Sequence, residues 1–377
     1  MAVQRVLYVD HASALGGAER SLLLLLKHLD RQRFQPLLAC NPGPLADAVS
    51  SLDVPVFPIE MPRIRGEASG LMHLIRGSLT LSRIIRRQRV DILHSNVMRS
   101  SFFAAVAALL TGRPLVWHVR DIHPPSERWY TRLMCRLSDQ GVAISGAVAA
   151  SLPCPAHATV IHNGLDLDEY PPDFDAAAVR GELAIPSETP LAGMVGRLRP
   201  WKGQDRFLRA AAMVAQSMPQ ARFLIVGGAI FAGGEAYDMR LRQLAAELDL
   251  VERVVFTGQR EDLPRLLSAM DVLVHCSDAE PFGRVLIEGM AASLPVVAYA
   301  DGAVPEIVTH DKTGILVPPG DESALARAIL ELLRDPHRRR EMGAAGRHRV
   351  QNHFTASQTT RGLENVYTHV LSSRRSS

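Results

Sequence analysis

Short runs rich in valine, isoleucine and leucine alternate with longer amphipathic stretches along the whole chain, and this alternation most limits the folds available. Parallel sheets covered by helices produce such a pattern. Strands are predicted in the first half at residues 5–10, 35–40, 54–59, 91–96, 114–119, 141–145 and 158–164. The second half repeats the pattern at residues 191–198, 221–228, 254–258, 272–276, 294–300 and 314–319. The sequence therefore predicts an α/β protein with two doubly wound, Rossmann-like domains.

A linker between the two halves is predicted at residues 166–175, a polar stretch that contains a Pro-Pro pair. We expect an N-terminal domain at 1–168 and a second domain at 169–355, followed by a last helix and tail at 356–377. The 377 residues are enough for two domains of ordinary size. Because sheets of this type bind ligands beyond the carboxyl ends of their strands, we expect the domains to face one another across a cleft.

The cellular compartment is predicted from apolar runs and cysteines. The longest apolar run, 102–110, is about half the length that a bilayer crossing needs, and the N-terminus lacks the apolar core of a secretory signal. The cysteines lie far apart without a C-x-x-C pair, which is typical of reduced thiols that serve as packing residues. They are Cys40, Cys135, Cys154 and Cys276. We therefore expect a cytoplasmic protein.

Two carboxylates eight positions apart flank a Pro-Phe-Gly turn in the second half. Apolar and small residues recur at helical spacing after the turn, so Glu280 is predicted just before a helix and Glu288 inside it. A helix N-terminus binds phosphate well, and carboxylates accept hydrogen bonds from sugar hydroxyls. The alternative is that Glu280 complements the helix dipole and Glu288 faces solvent.

Two further loops carry residue types that suit a diphosphate. Gly16 and Gly17 precede a helix, where glycines let the backbone approach a phosphate, and Arg197 and Lys202 follow a strand. Each loop also has an ordinary interpretation, a plain turn for the glycines and surface salt bridges for the cations. The Walker A and dinucleotide-binding spacings are both absent, which argues against nicotinamide chemistry.

A series of motifs resembles the retaining glycosyltransferases of family 4, which have the GT-B fold and an E-x7-E element. In order they are GGAE (16–19), WHVRD (117–121), IHNGLD (161–166), GRLRPWKG (196–203), EPFGRVLIE (280–288) and DGAVPEIV with KTGILVPPGD (301–321). The resemblance implies that the last helix returns to the first domain. It also implies a nucleotide-sugar donor, a glycan or lipid-linked acceptor, and no cofactor or metal.

The resemblance assigns roles to individual residues. It places His118 and Glu280 beside the transferred sugar and Glu288 at the ribose hydroxyls. The residues that it assigns to the diphosphate are Gly16, Gly17, Arg197, Lys202, Phe282, Gly283 and Arg284. Without the other motifs, a satisfied histidine at a strand end would be the simpler interpretation of His118. Two departures affect this assignment. Ser293 replaces a glycine common in the family, and the chain has Arg120 two residues after His118, followed by Asp121, rather than an acid immediately after the histidine as in many members.

Other activities and partners remain open on the sequence. A nucleotide-sugar epimerase and a non-catalytic nucleotide-sugar binding protein are the alternatives to the predicted UDP-sugar transferase. The D-x-D stretch at 166–168 is interpreted as linker rather than as a metal site, and histidines with metal-ligand spacing are absent. A net charge of +3 does not indicate a nucleic-acid partner.

The segment from 61 to 90 is strongly basic, with seven arginines against one acid, Glu67. Its arginines accompany Leu71, Leu74, Ile75, Ile84 and Ile85 in a basic amphipathic pattern. Such a segment can lie against an anionic membrane, at the cytoplasmic face here. The alternative is a helix that packs its apolar side on the sheet and turns its arginines to water.

Overall fold

The structure is a computed structural model that describes residues 3–12, 15–62, 68–171, 174–229 and 234–374. The chain divides into two compact units. Unit 1 contains Met1–Leu165 and Ala356–Ser377, and unit 2 contains Asp166–Thr355. The last helix therefore belongs to unit 1, although it follows unit 2 in the chain, which confirms its predicted return.

Strands and helices alternate in both units. The strands of unit 1 are β1 (Gln4–Asp10), β2 (Phe34–Cys40), β3 (Val56–Pro58), β4 (Ile92–Ser95), β5 (Leu115–Val119), β6 (Gln140–Ala143) and β7 (Ala158–Val160). Its helices up to the boundary are α1 (Gly17–His28), α2 (Pro44–Ser50), α3 (Ala68–Arg87), α4 (Met98–Thr111), α5 (Arg128–Leu137) and α6 (Gly146–Ala150).

Unit 2 repeats the alternation. Its strands are β8 (Leu191–Val195), β9 (Arg222–Val226), β10 (Val254–Gly258), β11 (Val272–His275), β12 (Val296–Tyr299) and β13 (Gly314–Val317). Its helices are α7 (Ala176–Glu182), α8 (Gln204–Ser217), α9 (Gly234–Glu247), α10 (Leu263–Ser268), α11 (Arg284–Ala291), α12 (Val304–Ile307), α13 (Glu322–Arg334) and α14 (Pro336–His353). The chain ends with α15 (Ala356–Ser373) in unit 1.

The described part of unit 1 contains a parallel sheet in the order β3-β2-β1-β4-β5-β6-β7. The order reverses between β1 and β4, so ligands are expected beyond the carboxyl ends of these strands. Tyr8 of β1 is paired with His94 of β4, and α15 adds Tyr367 to the core that contains Tyr8. The central strands β1, β4, β5 and β6 are largely buried on both faces, which explains why their apolar runs are continuous rather than alternating.

The described part of unit 2 contains a parallel sheet in the order β10-β9-β8-β11-β12-β13. Here the order reverses between β8 and β11. The loop after β8 carries the predicted cations, and the loop after β11 carries the first predicted carboxylate. Each predicted strand run of the sequence overlaps a strand of the structure, and the prediction of two Rossmann-like α/β domains is confirmed.

The prediction of four reduced cysteines is wrong for one pair. Cys135 of α5 and Cys154 are joined by a disulfide, with their Cα atoms 6.3 Å apart. They are 19 positions apart in sequence, and the fold brings the end of α5 next to the turn at Pro155–His157. Cys40 and Cys276 are free and buried, as packing residues should be, and burial raises the pKa of both thiols.

The length and apolar content of the helices bear on whether the chain could cross a bilayer. Within the ranges that the structure describes, none is both long and apolar enough to cross a membrane. Helix α4, which contains the longest apolar run of the sequence, has 14 residues, which is fewer than the roughly 20 that a spanning helix needs.

Candidate functional site

In unit 2, the carboxylate of Glu280 is buried in the loop between β11 and α11, with 6% of the residue exposed. Its Oε2 atom accepts a hydrogen bond from Nζ of Lys202 at 2.7 Å and lies 3.1 Å from Nε2 of His275. Burial alone would raise the pKa of Glu280, but the hydrogen bond and charge of His275, followed by the charge of Lys202, lower it well below its usual range. Glu280 is therefore an ionised hydrogen-bond acceptor.

The loop after β12 holds the backbone of Glu280 in place. The amide of Ala303 donates to the carbonyl oxygen of Glu280 at 2.8 Å, and the amide of Ala279 donates to Oδ2 of Asp301 at 2.7 Å. Gly302 has a φ of 57°, and a Cβ atom there would come within 2.6 Å of the backbone nitrogen of Glu280. Because only glycine permits this approach, the DGAVPE motif fixes the position of the carboxylate.

The cationic loop after β8 is packed against the end of β11. Gly203 follows the 3-10 turn Pro200–Lys202 with a φ of 79°, and a Cβ atom there would lie 2.8 Å from Cβ of Cys276. Nζ of Lys202 also lies 4.2 Å from the ring centre of Trp201. The fold therefore brings Lys202 into contact with Glu280, whereas the side chain of Arg197 is exposed.

The helix predicted after the Pro-Phe-Gly turn is α11, which begins at Arg284 after Gly283. Phe282 is buried and packs edge-on against Phe354. Glu288 lies inside the helix with 8% of the residue exposed, and its Oε1 atom is 3.4 Å from Nη2 of Arg284. The predicted position of Glu288 inside the helix is confirmed, and the alternative of a solvent-facing Glu288 is wrong.

Helix α11 ends without a glycine. Ser293 follows it with a φ of 60°, in the left-handed region. The amide of Leu294 donates to the carbonyl oxygen of Gly289 at 2.9 Å, which closes the helix as a glycine usually does. The departure from the family at Ser293 therefore preserves the geometry at the expense of a strained residue.

In unit 1, His118 is buried near the end of β5. Its Nδ1 atom lies 3.0 Å from Nε2 of His94 and 3.4 Å from Nη2 of Arg120. Its Nε2 atom has no hydrogen-bond partner within the part of the chain that the structure describes. Burial, followed by the charge of Arg120, lowers the pKa of His118 well below its usual value, so the ring is neutral.

A buried polar network connects the carboxyl ends of β1, β4 and β5. Nδ2 of Asn96 donates to Oδ2 of Asp10 at 2.6 Å, and Nη2 of Arg120 donates to Oδ1 of Asn96 at 2.6 Å. Burial, followed by the charge of Glu19, raises the pKa of Asp10 to about 6. Arg120, which departs from the family pattern, is therefore a member of this network beside His118.

The Gly-Gly turn leads into α1 as predicted, with residues 13–14 of its loop outside the described residues. The amide of Gly16 donates to Oε2 of Glu19 at 2.8 Å, and a Cβ atom at Gly16 would lie 2.7 Å from the same oxygen. A glycine at position 16 therefore leaves room for the side chain of Glu19, which accepts the hydrogen bond at the start of α1. Gly17 is the first residue of α1.

The D-x-D stretch forms a turn at the boundary of the units. Oδ1 of Asp166 accepts a hydrogen bond from the amide of Asp168 at 3.3 Å and caps the 3-10 turn Leu167–Glu169. In the described ranges, no group of three or more histidine, cysteine or acidic side chains could hold a metal ion. The capping bond gives Asp166 a local structural role.

The basic segment forms α3, with residues 63–67 outside the described residues. Exposed side chains recur every four positions along one face of the helix: Leu71, Ile75, Leu79, Arg83 and Arg87. Leu74 and Ile84 are half-buried. Ile85 packs inward, so its predicted place on a lipid-facing surface is wrong, and the packed alternative is right for this residue.

Sequence reasoning missed several residues of both sites. His275 and Asp10 are the last residues of β11 and β1, and Asn96 directly follows β4. Polar residues at the carboxyl ends of adjacent strands are a signal that could have found all three. His94 and Tyr367 are 273 positions apart, and no sequence pattern connects them.

Comparisons with known proteins agree with this arrangement. The family model for Glycosyltransferase Family 4 matches residues 15–169, and the model for Glycosyl transferases group 1 matches residues 175–349. The chain is 30% identical over 310 residues to a D-inositol 3-phosphate glycosyltransferase of Streptomyces scabiei (strain 87.22), covering 76% of this chain and 69% of the relative. It is 29% identical over 244 residues to the lipopolysaccharide core biosynthesis mannosyltransferase LpsB of Rhizobium meliloti (strain 1021), covering 64% and 69%.

A solved structure is also similar. The crystal structure of Alr3699/HepE from Anabaena in complex with UDP-glucose has a TM-score of 0.84 at 26% sequence identity, covering 97% of this chain and 99% of that chain. Some curated relatives are longer, and this chain covers only 40% of another D-inositol 3-phosphate glycosyltransferase, from Mycobacteroides abscessus. The family models, the relatives and the fold agree, and the chain belongs to the family 4 glycosyltransferases with the GT-B fold.

Proposed function

We propose that the protein transfers a sugar from a UDP-sugar donor to a glycan or lipid-linked saccharide, with retention at the anomeric carbon and without a metal ion. The observation that carries this proposal is the buried contact between Glu280 and Lys202. An ionised carboxylate accepts hydrogen bonds from sugar hydroxyls, and the neighbouring cation attracts a diphosphate. The two charges together suit a nucleotide-sugar at its reacting end.

The other donor contacts are proposed for residues of unit 2. Glu288 is buried in α11, where its carboxylate can accept hydrogen bonds from two ribose hydroxyls. The backbone amides of Phe282, Gly283 and Arg284 lie at and just before the start of α11, and they would hold the distal phosphate with the help of the helix dipole. Arg197 would complement the charge of the diphosphate. It is exposed in the loop after β8, and β8 is next to β11, the strand whose loop leads into α11.

The contacts proposed for unit 1 concern the sugar and the acceptor. His118 would contact the transferred sugar through Nε2, the ring atom that faces no described partner. Gly16 and Gly17 would let the backbone approach a phosphate closely, as the first turn of α1 begins there. The acceptor would bind to this unit.

The nature of donor and acceptor is supported by what similar proteins bind or act on. The Anabaena protein was crystallised with UDP-glucose, which supports a UDP-sugar. The Rhizobium protein is a mannosyltransferase of lipopolysaccharide core biosynthesis, which supports a lipid-linked saccharide as acceptor. Retention is proposed because the motif series resembles that of the retaining family.

We further propose that unit 1 docks on an anionic membrane through α3 at the cytoplasmic face. Leu71, Ile75 and Leu79 are between 41% and 59% exposed, an unusual exposure for large apolar residues on one helix face. The same face continues into Arg83 and Arg87. The apolar side chains would contact the acyl chains of the lipid, and the arginines that follow them would contact the anionic headgroups.

Donor turnover with purified protein tests the function. The protein is incubated with UDP-glucose, other UDP-sugars and GDP-mannose, with and without a glycolipid extract, and nucleotide release and new glycosides are measured. We expect acceptor-dependent release of UDP, and an anomeric configuration in the first product that matches the donor's. A Glu280→Gln variant should lose this activity, whereas Asp238→Asn, which removes a partly exposed acid of α9 that pairs with Arg242, should retain it.

The same assay separates the alternatives. Free sugar with a changed configuration, formed without an acceptor, would identify an epimerase. If the protein binds a nucleotide-sugar but does not turn it over with any acceptor, it is a binding protein. Inversion of the anomeric centre would contradict the proposed retention while leaving transfer intact.

A further inference from the structure

His118 belongs to a chain of buried side chains that begins on the last helix. The hydroxyl of Tyr367 on α15 lies 2.7 Å from Nδ1 of His94, and Nε2 of His94 lies 3.0 Å from Nδ1 of His118. Burial, followed by the charge of Arg120, lowers the pKa of both histidines, to about 3 for His94. Each neutral ring carries one N–H, so only two arrangements of hydrogens make both contacts hydrogen bonds.

The two arrangements give His118 opposite chemistry. In the first, Tyr367 donates to Nδ1 of His94, the Nε2–H of His94 donates to Nδ1 of His118, and Nε2 of His118 carries a hydrogen. In the second, the Nδ1–H of His94 donates to the hydroxyl oxygen of Tyr367, and the Nδ1–H of His118 donates to Nε2 of His94. Nε2 of His118 then carries a lone pair. His118 is a hydrogen-bond donor in the first arrangement and a base in the second.

Two observations favour the first arrangement. Nη2 of Arg120 lies 3.4 Å from Nδ1 of His118, and because a guanidinium only donates, a lone pair on Nδ1 is favoured over a second N–H. The 2.7 Å between Tyr367 and His94 is typical of a bond donated by a hydroxyl and short for one donated by nitrogen. The hydroxyl of Tyr8 lies farther from that of Tyr367, at 3.3 Å, and competes less well for its hydrogen.

We propose that His94 and Tyr367 are positioning residues that fix His118 as a ring with its hydrogen on Nε2. His118 then donates a hydrogen bond to a substrate oxygen and does not accept a proton through Nε2. This inference rests on the proposed function for the identity of the substrate. It also gives α15 a role in the unit 1 site, because that helix supplies Tyr367.

Nitrogen NMR of the full-length protein tests the arrangement directly. The histidines are labelled with nitrogen-15, and correlations through two and three bonds identify which ring nitrogen carries hydrogen. The signals of His118 and His94 are identified by their loss in His118→Asn and His94→Asn. We expect a single form of His118 with hydrogen on Nε2 at neutral pH. Hydrogen on Nδ1 would overturn the proposal, and the measurement does not depend on any transferase activity.

Two tyrosine variants separate positioning from packing. Tyr367→Phe removes the hydroxyl that contacts His94, so His118 should become a mixture of both forms. In transfer assays kcat should fall by about tenfold while KM for the donor stays the same. Tyr8→Phe is the matched control, since it removes a neighbouring buried hydroxyl that does not bond to His94. Equal spectra for the two variants would overturn the role of Tyr367.

Substitutions of His94 complete the test. His94→Gln keeps a side-chain N–H that can donate to His118, whereas His94→Leu removes it. We expect His94→Gln to retain the Nε2–H form of His118 and most of kcat, and His94→Leu to lose both. Identical losses in the two variants would mean that His94 only fills space and would contradict the proposal.

Discussion

Nζ of Lys202 lies 2.7 Å from Oε2 of Glu280, and both side chains are largely buried. The cation assigned to the diphosphate therefore also neutralises the acid assigned to the sugar. Removing either partner leaves a buried charge without its counterion, which usually costs more than the pair contributes. A variant of either residue therefore changes the surroundings of both charges, and variants of Lys202 and Glu280 must be interpreted together.

Glu280→Gln should separate sugar recognition from diphosphate binding. The amide no longer holds Lys202, so the affinity for UDP should be unchanged or higher, while transfer falls by at least about 100-fold. Lys202→Ala should instead weaken UDP binding by about 2 kcal/mol or more, since it removes a charge that faces the diphosphate. Calorimetry with UDP and turnover assays measure the two effects. Weakened UDP binding in Glu280→Gln would contradict the assignment.

The stability of unit 2 provides the matching control. Lys202→Ala should lower the unfolding free energy by about 3 kcal/mol, because the carboxylate of Glu280 then keeps only His275 as a partner among the residues that the structure describes. Adding Glu280→Gln to Lys202→Ala should restore part of this loss. If the double variant is no more stable than Lys202→Ala, the loss of unfolding free energy does not come from breaking the buried pair of Lys202 and Glu280.

Much of the fold and half of the site could be predicted from the sequence. The central strands of both sheets are largely buried on both faces and carry continuous apolar runs, so the number of strands and their order in the chain could be predicted. Glu280 and Glu288 were found because a turn and a helical period surround them. The contacts of Tyr367 with His94 and of Cys135 with Cys154 were not predictable, because tertiary packing joins residues from separate parts of the chain.

Turnover should persist in a chelator. Lys202, Arg197 and the N-terminus of α11 would supply the positive charge that a divalent metal supplies in other transferases. Activity is measured after dialysis against EDTA, with Mg²⁺ or Mn²⁺ added back. Asp168→Asn, which alters the exposed acid of the D-x-D turn, should be equally active. Loss of activity in EDTA that Mn²⁺ restores would show that a metal takes part.

Unit 1 should lose stability when the pH falls from 7 to 5. Burial lowers the pKa of His94 to about 3, whereas an unfolded chain binds that proton below a pH of about 6.5. Stability present above pH 6.5 is therefore lost as the pH falls, by about 2 kcal/mol at pH 5 for this group. Asp10 opposes the loss by about 1 kcal/mol, because its pKa is raised to about 6 and the folded form binds the proton first.

Calorimetry at pH 7 and pH 5 measures this loss. His94→Gln is the control, since glutamine does not titrate, and its unit 1 transition should shift less between the two pH values. Unit 2 should change little over the same interval, because the pKa of Glu280 is lowered and its contribution is lost only below the pKa of the unfolded group. An equal shift in His94→Gln and the wild type would contradict the assignment to His94.

Ser293→Gly should stabilise unit 2. Ser293 is exposed and has a φ of 60°, a conformation that costs a residue with a Cβ atom roughly 1 kcal/mol more than glycine. Part of the gain is offset by the larger entropy of glycine in the unfolded chain, which leaves about 0.5 kcal/mol. Thermal or denaturant unfolding measures it. Ser293→Ala, which keeps the Cβ atom, should give no gain, and equal stabilisation by both substitutions would exclude strain as the cause.

Unit 1 should bind anionic vesicles in a salt-sensitive way. At about 1 kcal/mol for each basic residue near an anionic surface, three engaged arginines of α3 give measurable sedimentation with vesicles at low salt. Changing Arg83, Arg86 and Arg87 to serine should abolish it, and changing Leu71, Ile75 and Leu79 to serine should weaken it at every salt concentration.

Two comparisons make this vesicle experiment specific for α3. Replacing Arg83, Arg86 and Arg87 by lysine keeps the charge and should keep binding, since the attraction to lipid headgroups depends on charge rather than on the guanidinium. Arg240→Ser with Arg327→Ser removes exposed charges from helices of unit 2 and should have little effect. Sedimentation that responds equally to both sets of arginines would reflect net charge alone, and no binding at low salt would leave a soluble acceptor as the better explanation.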